Sequence, residues 1–280
     1  MDIKIHRSVK IISIIVVLIF LFLMYLRFIS TSGLEVKEYN VINSKIGDYH
    51  GLKIVHFSDI HYKSTINYDE LKKVIEKINY INPDIVTFTG DILDNKLKYS
   101  DKEINDLINL FSSINVSYKK YAISGDNDTN EYYKKIINNS GFVDLNNTYE
   151  LIYNQNKRPI LIAGINSGIN GVNEKLLKTN EYLLSNKADQ VYSILLMHEP
   201  DNIKYTSNFD LVLAGHSLNG QIKLPFVGGL RKMNGAKTYY EEYYKVNKTD
   251  LYISGGLGST TLNLRYFNKP SINFYRITNK

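Results

Sequence analysis

The N-terminal part of the chain begins with a long, almost unbroken apolar run. Ile11 to Leu26 contains one polar residue, Ser13, and the apolar character continues to Ile29 past Arg27. A run of about 20 apolar residues can span a bilayer, and Arg27 can extend its side chain to the interface and lengthen the span. A helix that is apolar on all sides is not typical of an exposed helix on a globular domain. The pattern therefore predicts a membrane anchor over residues 1–29 that contacts lipid through residues 9–29.

Basic residues near the N-terminus predict the direction of this span. Lys4, Arg7 and Lys10 precede the apolar run, so the positive-inside rule places the N-terminus in the cytoplasm and the rest of the chain outside it. A cleaved secretory signal is the alternative, because small residues follow at 30–32. We favour an uncleaved, single-pass anchor in the cell membrane, because the run exceeds the roughly 7–15 residues of a signal peptide and no A-x-A site follows.

Beyond the anchor, the pattern of apolar positions alternates between strand and helix. Residues 30–41 are expected to be a connector, and residues 42–280 a single domain. Helical spacing of apolar residues predicts helices over Tyr68–Ile81, Ile104–Ile114 and Glu174–Ser185. Short β-rich runs predict strands over Lys53–Ser58, Asp84–Thr89, Tyr121–Ser124, Ile160–Ile165, Val191–Met197, Asp210–Ala214, Asp250–Ser254 and Ser271–Ile277. The order indicates an α/β domain.

Composition narrows the possible functions. The formal net charge is +6, half of it within residues 1–29, and no compact basic stripe follows, so nucleic-acid binding is not expected. The chain has no cysteine, which excludes disulfides, thiolate metal sites and cysteine nucleophiles. A nucleophilic serine hydrolase is also not supported, because the sequence has no G-x-S-x-G turn.

Polar clusters follow several predicted strands at their C-terminal ends. Because side chains from such strand ends converge at one edge of an α/β sheet, we expect these clusters to form a site. Carboxylates and imidazoles together suit divalent metals such as Mn, Fe or Zn. The clusters are SDIH at 58–61, TGDILD at 89–94, SGDND at 124–128, LMHEP at 196–200 and AGHSLNGQ at 214–221.

Each cluster taken alone has an ordinary structural explanation. Asp-x-His is more often turn chemistry than a ligand pair, and Gly-Asp after a strand is commonly a helix N-cap. His50 and His56 do not lie at strand ends, and we expect structural roles for them. The ordered recurrence at five successive strand ends favours a metal site.

This order of motifs resembles the calcineurin-like metallophosphoesterase superfamily, whose pattern is D-x-H, G-D-x-x-D, G-N-H-[DE], a lone H and G-H-x-H. The similarity covers about residues 53–277 and is strongest to the small bacterial membrane-associated branch, which includes UDP-diacylglucosamine hydrolases. IVHFSDIH and GHSLNGQIKLP are similar to segments of that branch, and Arg265 and Pro270 match its habitual glycine-rich loop followed by Arg and Pro.

The resemblance implies a four-layer α/β/β/α sandwich with two divalent cations at the sheet edge. Such cations hold a phosphoryl group and lower the pKa of water. By position, Asp91 would bridge the cations, and Asp91, Asp126 and Asn127 would be the catalytic positions. The implied metal ligands are Asp59, His61 and Asp91 for the first cation and Asp91, Asp126, His198 and His216 for the second.

The sequence departs from the pattern at three positions. Asp126 replaces a metal-binding Asn, which preserves an oxygen ligand. Asn127 replaces a His that the resemblance implies as the proton donor to the leaving group, and an amide cannot deliver a proton near neutral pH. Leu218 replaces the last ligand His, and leucine cannot bind a metal. We therefore expect one firm cation site, the second, and a weak or absent first site.

Two functional hypotheses follow. The first is a phosphoesterase that hydrolyses a phosphomonoester, phosphodiester or pyrophosphate bond of a membrane- or envelope-related substrate, and we expect Asn127 and Leu218 to reduce its activity. The second is a catalytically impaired protein that binds metal, phosphate or a protein partner. The sequence does not identify protein partners.

Overall fold

The computed structural model describes residues 7–128, 131–154, 158–168, 191–206, 209–259 and 263–280. The first element, α1, spans Arg7–Met24 and continues without interruption as a π-helical segment, Tyr25–Ile29. This continuous helix of 23 residues is apolar and long enough to cross a membrane, because at 1.5 Å per residue it is about 35 Å long. Almost all of its side chains are exposed, and Leu26 is the buried exception.

Two six-stranded sheets form the domain. The first has the strand order β1-β14-β2-β3-β4-β5 and the second β12-β13-β9-β8-β7-β6, while β10 and β11 form a separate hairpin. The described strands are β1 Glu35–Ile42, β2 Leu52–Phe57, β3 Ile85–Phe88, β4 Lys119–Ala122, β5 Phe142–Asp144, β6 Thr148–Ile152, β7 Ile160–Gly164, β8 Ser193–Met197, β9 Leu211–Ala214, β10 Lys223–Leu224, β11 Gly228–Gly229, β12 Tyr243–Val246, β13 Thr249–Ile253 and β14 Ser271–Thr278.

Three helices cover the outer face of the first sheet: α2 Tyr68–Ile81, α3 Asp101–Ser112 and α4 Glu131–Asn139. Helices α2 and α3 each begin with a capping box. The side chains of Asn67 and Ser100 accept a hydrogen bond from the backbone N–H of the third helical residue, a glutamate, and the side chain of that glutamate accepts one from the backbone N–H of the cap residue. The apolar faces of the three helices pack in one core with outward residues of β2 and β3 such as Phe57 and Phe88. Sheet and helices thus form two of the layers.

The inner faces of the two sheets bury a second core. Ile54 and Ile85 of the first sheet pack in one cluster with Ile162, Ile194 and Leu213 of the second. Alternate residues of the second sheet form a third cluster on its outer face, together with Ile203 from the short 3₁₀ helix Pro200–Tyr205. This sheet-on-sheet arrangement with outer helices confirms the predicted α/β fold class.

The structure differs from the sequence prediction in the connector. Residues 35–41 are not a simple link, because they belong to β1, which pairs in parallel with β14 from Glu35 opposite Ser271 to Ile42 opposite Thr278. Half of this edge strand, EVKEYNVI, is charged or polar and its apolar residues do not alternate regularly, so its pattern alone did not indicate a strand. The helix predicted over 174–185 lies outside the described residues. The division into anchor and domain stays a prediction.

Candidate metal centre

The C-terminal ends of five parallel strands meet at one edge of the sandwich. In the first sheet these are β2, β3 and β4, which are neighbours. In the second sheet they are β8 and β9, also neighbours. The loop that follows each strand carries one of the polar clusters predicted from the sequence, so all six predicted ligand positions lie in this region.

The first group of potential ligands consists of Asp59, His61 and Asp91. One ligand atom from each lies within 4.8 Å of the other two, and all three side chains are buried. The Nε2 atom of His61 is buried without a hydrogen-bond partner among the described residues, and it lies 3.6 Å from Oδ2 of Asp91. A buried nitrogen without a partner is unfavourable unless something binds it. This arrangement fits a cation between the three side chains.

The second group consists of Asp126, His198 and His216, again with ligand atoms within 4.8 Å of one another. Nε2 of His198 lies 3.1 Å from Oδ1 of Asp126 and 3.2 Å from Nδ1 of His216. The two histidines are buried, whereas the Asp126 side chain is 42% exposed. The group therefore lies where the buried site opens to solvent.

Hydrogen bonds to the backbone orient both histidines of this group. Nδ1 of His198 donates to the carbonyl of Thr89 at 2.6 Å, and Nε2 of His216 donates to the carbonyl of Asn234 at 2.8 Å. Because a carbonyl only accepts, each of these nitrogens carries a proton and the other ring nitrogen faces the site. Metal-binding histidines are commonly oriented in this way.

Asp91 lies between the two groups. Its Oδ2 atom is 3.6 Å from Nε2 of His61 and 3.5 Å from Nε2 of His198. Both of its oxygens also accept hydrogen bonds from Asn127, Oδ1 from the backbone N–H and Oδ2 from the side-chain amide, each at 2.8 Å. Asn127 is thus in direct contact with the central carboxylate.

The backbone is strained at four of the six ligand positions. The φ angles of Asp59, His61, Asp91 and His216 are 52°, 47°, 64° and 65°. Left-handed conformations in non-glycine residues cost about 1–3 kcal/mol each and concentrate at functional sites. The loops after the strands are held in these conformations by hydrogen bonds, as where the N–H of His216 donates to both oxygens of Asp59. In these backbone conformations, the side chains at the predicted ligand positions point toward one another.

Asp128 links the loops that follow β3 and β4 through hydrogen bonds, a role that the sequence did not indicate. Its half-buried carboxylate accepts hydrogen bonds from the backbone N–H groups of Asp91, Ile92 and Gly125. Burial, assisted by the charge of Asp91, raises the pKa of Asp128 to about 7. Its position directly after Asn127 in the SGDND cluster was the available sequence clue, but its contacts depend on the fold.

Burial and neighbouring charges shift the pKa values of the ionisable side chains in the centre. Burial opposes a charge on His198, but the carboxylates of Asp91 and Asp126 outweigh it and raise the pKa of His198 well above its usual value. Burial raises the pKa of Asp59. A proton would therefore compete with a metal cation for the nitrogen of His198 that faces the site.

Leu218 lies next to the first group but adds no ligand. It is fully buried, and a Cβ placed on Gly256 would be 2.3 Å from its Cδ2 and 3.1 Å from the Cβ of Asp59. Arg265 is also buried and donates to the carbonyls of Gly255, Gly256 and Gly258. Arg265 thus holds the glycine-rich loop at 255–258 through hydrogen bonds, and this loop packs against Leu218.

Two further histidines lie outside the ligand groups, and several other side chains line the cleft over the site. His56 is buried within β2, with Nε2 2.8 Å from Oγ1 of Thr89, and His50 is exposed. Neither belongs to the two ligand groups. The cleft over the site is also lined by Asp94, the last residue of the 89–94 cluster, and by three side chains that the sequence did not single out: Lys96, Arg231 and Met233.

Comparison with known proteins agrees with this geometry. Residues 52–220 match the family model described as calcineurin-like phosphoesterase. The chain is 34% identical to the uncharacterized metallophosphoesterase YkuE of Bacillus subtilis, over 90% of this chain and 88% of that protein. It is 25% identical to the UDP-2,3-diacylglucosamine pyrophosphatase LpxG of Chlamydia muridarum, over 81% of this chain and 84% of that protein. The chain belongs to the calcineurin-like phosphoesterase family, whose members are metal-dependent hydrolases.

Proposed function

We propose that this chain is a metal-dependent phosphoesterase that hydrolyses a phosphomonoester, phosphodiester or pyrophosphate bond with water activated by divalent metal at the sheet edge. The observation that supports this most directly is the position of Asp91, within 3.6 Å of a ligand nitrogen of each group. A single carboxylate between two ligand sets is what a pair of cations requires. Cations held there would bind phosphoryl oxygens and lower the pKa of water.

The two cation sites differ in their protein ligands. The first has Asp59, His61 and Asp91, because Leu218 stands where a fourth ligand is expected. The second has Asp91 together with Asp126, His198 and His216. We propose that the second binds a cation firmly and the first weakly or not at all, since each lost ligand lowers affinity. Mn, Fe and Zn all suit these oxygen and nitrogen donors.

The chain's own residues would orient the substrate. Asn127 lies at the mouth of the centre, and its amide donates to Oδ2 of Asp91. Arg231 and Lys96 line the same cleft and offer positive charge to a phosphate. Asn127 can hold an oxygen by hydrogen bonding but cannot protonate a leaving group, so we propose that turnover is slower than with histidine there.

We further propose that the substrate belongs to the membrane. The relative from Chlamydia is named a UDP-2,3-diacylglucosamine pyrophosphatase, and this chain carries an apolar helix of 23 residues that can span a bilayer. With the N-terminus in the cytoplasm, the site would act on a phosphate ester of the cell membrane or envelope on the outer side.

Hydrolysis of bis(nitrophenyl) phosphate by the purified full chain in detergent tests the proposal. Turnover with Mn²⁺ that is abolished in Asp91→Asn is expected, while Asp69→Asn, an exposed change at the start of α2, should keep the wild-type rate. Equal rates in wild type and Asp91→Asn would contradict the proposal.

A catalytically impaired binding protein is the second candidate. It is favoured by the two departures in one site, since Leu218 is packed against the glycine-rich loop and Asn127 cannot act as an acid. Metal binding without turnover under Mn, Fe or Zn would support this second candidate.

A further inference from the structure

An exposed apolar surface lies beside the metal centre. The turn between β10 and β11 carries Phe226, which is fully exposed, and Val227, which is 66% exposed. Leu230 follows at 53% and Phe267, on a neighbouring loop, at 65%. We call residues 224–230 together with Phe267 the apolar hairpin surface. Clustered exposure of this kind is typical of a surface that contacts a membrane or another protein.

The two phenylalanines of this surface have strained backbone conformations. Phe226 and Phe267 have φ angles of 67° and 47°, a left-handed conformation that is unfavourable for bulky residues. In water, each ring would be exposed at the cost of both backbone strain and apolar hydration. An apolar environment around the rings would offset both.

Contacts join this surface to the apolar N-terminal helix. The N–H of Lys223, the first residue of β10, donates to the carbonyl of Tyr266 at 2.9 Å. The ring of Tyr266 packs edge-on against Phe22 of α1, with the centroids 5.5 Å apart, and also lies 4.4 Å from the ring of Phe267. The hairpin surface and the helix are therefore parts of one continuous apolar face.

The level of this contact along the helix indicates its depth. The helix continues to Ile29, and Phe22 lies about 10 Å before that end at 1.5 Å per residue. The N–H of Arg265 also contacts the carbonyl of Leu26. Tyr266 and Phe267 thus lie beside the last turns of the helix, where aromatic side chains commonly mark the membrane interface.

The same surface is connected to the cleft. Gly220 follows the His216 motif, and a Cβ added to it would be 2.5 Å from Cα of Gly229 in β11. Arg231 and Met233, just after the hairpin, line the cleft, and the carbonyl of Asn234 holds His216. A molecule held at the hairpin surface would therefore have its polar end near the ligand groups.

We infer that the apolar hairpin surface inserts into the outer leaflet of the bilayer that α1 spans. This second membrane contact holds the mouth of the cleft at the lipid–water interface, so the substrate is an amphiphile whose phosphate lies at that interface. The inference rests on the proposed membrane anchoring. Continuity with α1 favours the bilayer over a second copy of the chain as the occupant.

The absence of tryptophan from the sequence allows a direct test. Single variants Phe226→Trp and Phe267→Trp of the full chain are reconstituted in phosphatidylcholine–phosphatidylglycerol vesicles, with lipids brominated at known acyl positions as quenchers. Phe20→Trp reports on the anchor. Tyr80→Trp is the aqueous control, because Tyr80 is 81% exposed near the C-terminal end of α2.

The inference predicts blue-shifted emission from Trp at 226 and 267, with strongest quenching by bromine near the headgroups, and quenching of Phe20→Trp by deeper bromine. If Phe20→Trp is quenched while positions 226 and 267 behave like Tyr80→Trp, the hairpin inference is wrong and the anchor stands. If Phe20→Trp is also unquenched, the anchor and the inference both fall. Hydrolysis of soluble bis(nitrophenyl) phosphate is measured separately and bears on the proposed reaction alone.

Discussion

Asn127 holds both carboxylate oxygens of Asp91, one through its backbone N–H and the other through its side-chain amide, at 2.8 Å each. Asn127, which replaces the histidine of the family pattern, is therefore hydrogen-bonded to the carboxylate between the two ligand groups. We expect a histidine at this position to reach a phosphate held at the ligand groups. This relationship makes the effect of the departure measurable.

Replacing Asn127 with histidine should increase the rate of hydrolysis. A positioned general acid contributes about 10²–10⁴-fold, and the N–H of residue 127 would still bind Oδ1 of Asp91. The kcat of Asn127→His for a substrate with a poor leaving group, such as phenyl phosphate, measures the gain. For bis(nitrophenyl) phosphate, whose leaving group hardly needs a proton, the gain should be smaller.

Adding Leu218→His to that variant should strengthen binding at the first cation site. Leu218 lies next to Asp59, and an imidazole there would supply the missing ligand. Calorimetric titration with Mn²⁺ measures affinity, and circular dichroism checks that the double variant is folded. A folded double variant with wild-type affinity and rate would contradict the assigned roles.

Asp128→Asn should weaken metal binding without removing any ligand. The carboxylate accepts from the N–H groups of Asp91, Ile92 and Gly125, and an amide nitrogen facing these donors would break part of that arrangement. Loss of such a supporting partner typically costs about 10–100-fold in affinity or activity. Manganese titration measures it, with Asp69→Asn as the exposed control. Unchanged affinity would show that these loops hold their geometry without Asp128.

Gly125→Ala should disrupt the centre by direct overlap. A Cβ at this position would lie 2.2 Å from Oδ1 of Asp91 and 2.7 Å from its backbone nitrogen, so the central carboxylate must move. Displacing a reacting group by about 1 Å can cost 10²-fold in rate. The control is Gly33→Ala, which meets nothing within 4 Å and adds only the strain of a φ of +84°. The ratio of hydrolysis rates in the two variants measures the effect.

His56 should make the folded chain less stable in acid. Burial lowers its pKa from 6.5 to about 3. The unfolded chain therefore takes up a proton below pH 6.5, while the folded chain does not until about pH 3. The contribution of neutral His56 to stability is complete above pH 6.5 and declines as the pH falls toward 3, by up to about 1.4 kcal/mol per pH unit.

Urea unfolding of the full chain in detergent between pH 7 and 4 measures this slope. His56→Gln keeps an amide that can bond Oγ1 of Thr89 but does not titrate, so its free energy of unfolding should depend less steeply on pH. The exposed His50→Gln should follow the wild type. Parallel curves for His56→Gln and wild type would exclude the proposed contribution.

Local pattern was sufficient to predict the central elements of the fold. Helix α2 occurs at the predicted residues, Tyr68–Ile81, because its apolar spacing and the following Asn82-Pro83 act within the segment itself. The buried strands β2, β3, β8 and β9 are short, mainly apolar runs, and their ends identified the polar clusters. The α/β fold class followed from their order.

Elements that depend on distant partners were harder to predict. Strand β1 has no regular alternation of apolar residues, and it is a strand because β14, more than 200 positions later, supplies its hydrogen bonds. The contacts of Asp128 with the loop at Asp91 and Ile92 likewise depend on how remote loops meet. Sequence therefore indicated the candidate ligand residues that the structure brings together, whereas their support and surroundings required the structure.

The metal content of the purified full chain tests the central claim most directly. After incubation with Mn, Fe or Zn and removal of free metal, elemental analysis of wild type should give about one tightly held divalent cation per chain, as expected from one complete ligand set, and Asp91→Asn should lose most of it. A wild-type chain that retains no divalent metal, or an Asp91→Asn chain that retains the wild-type amount, would contradict the account.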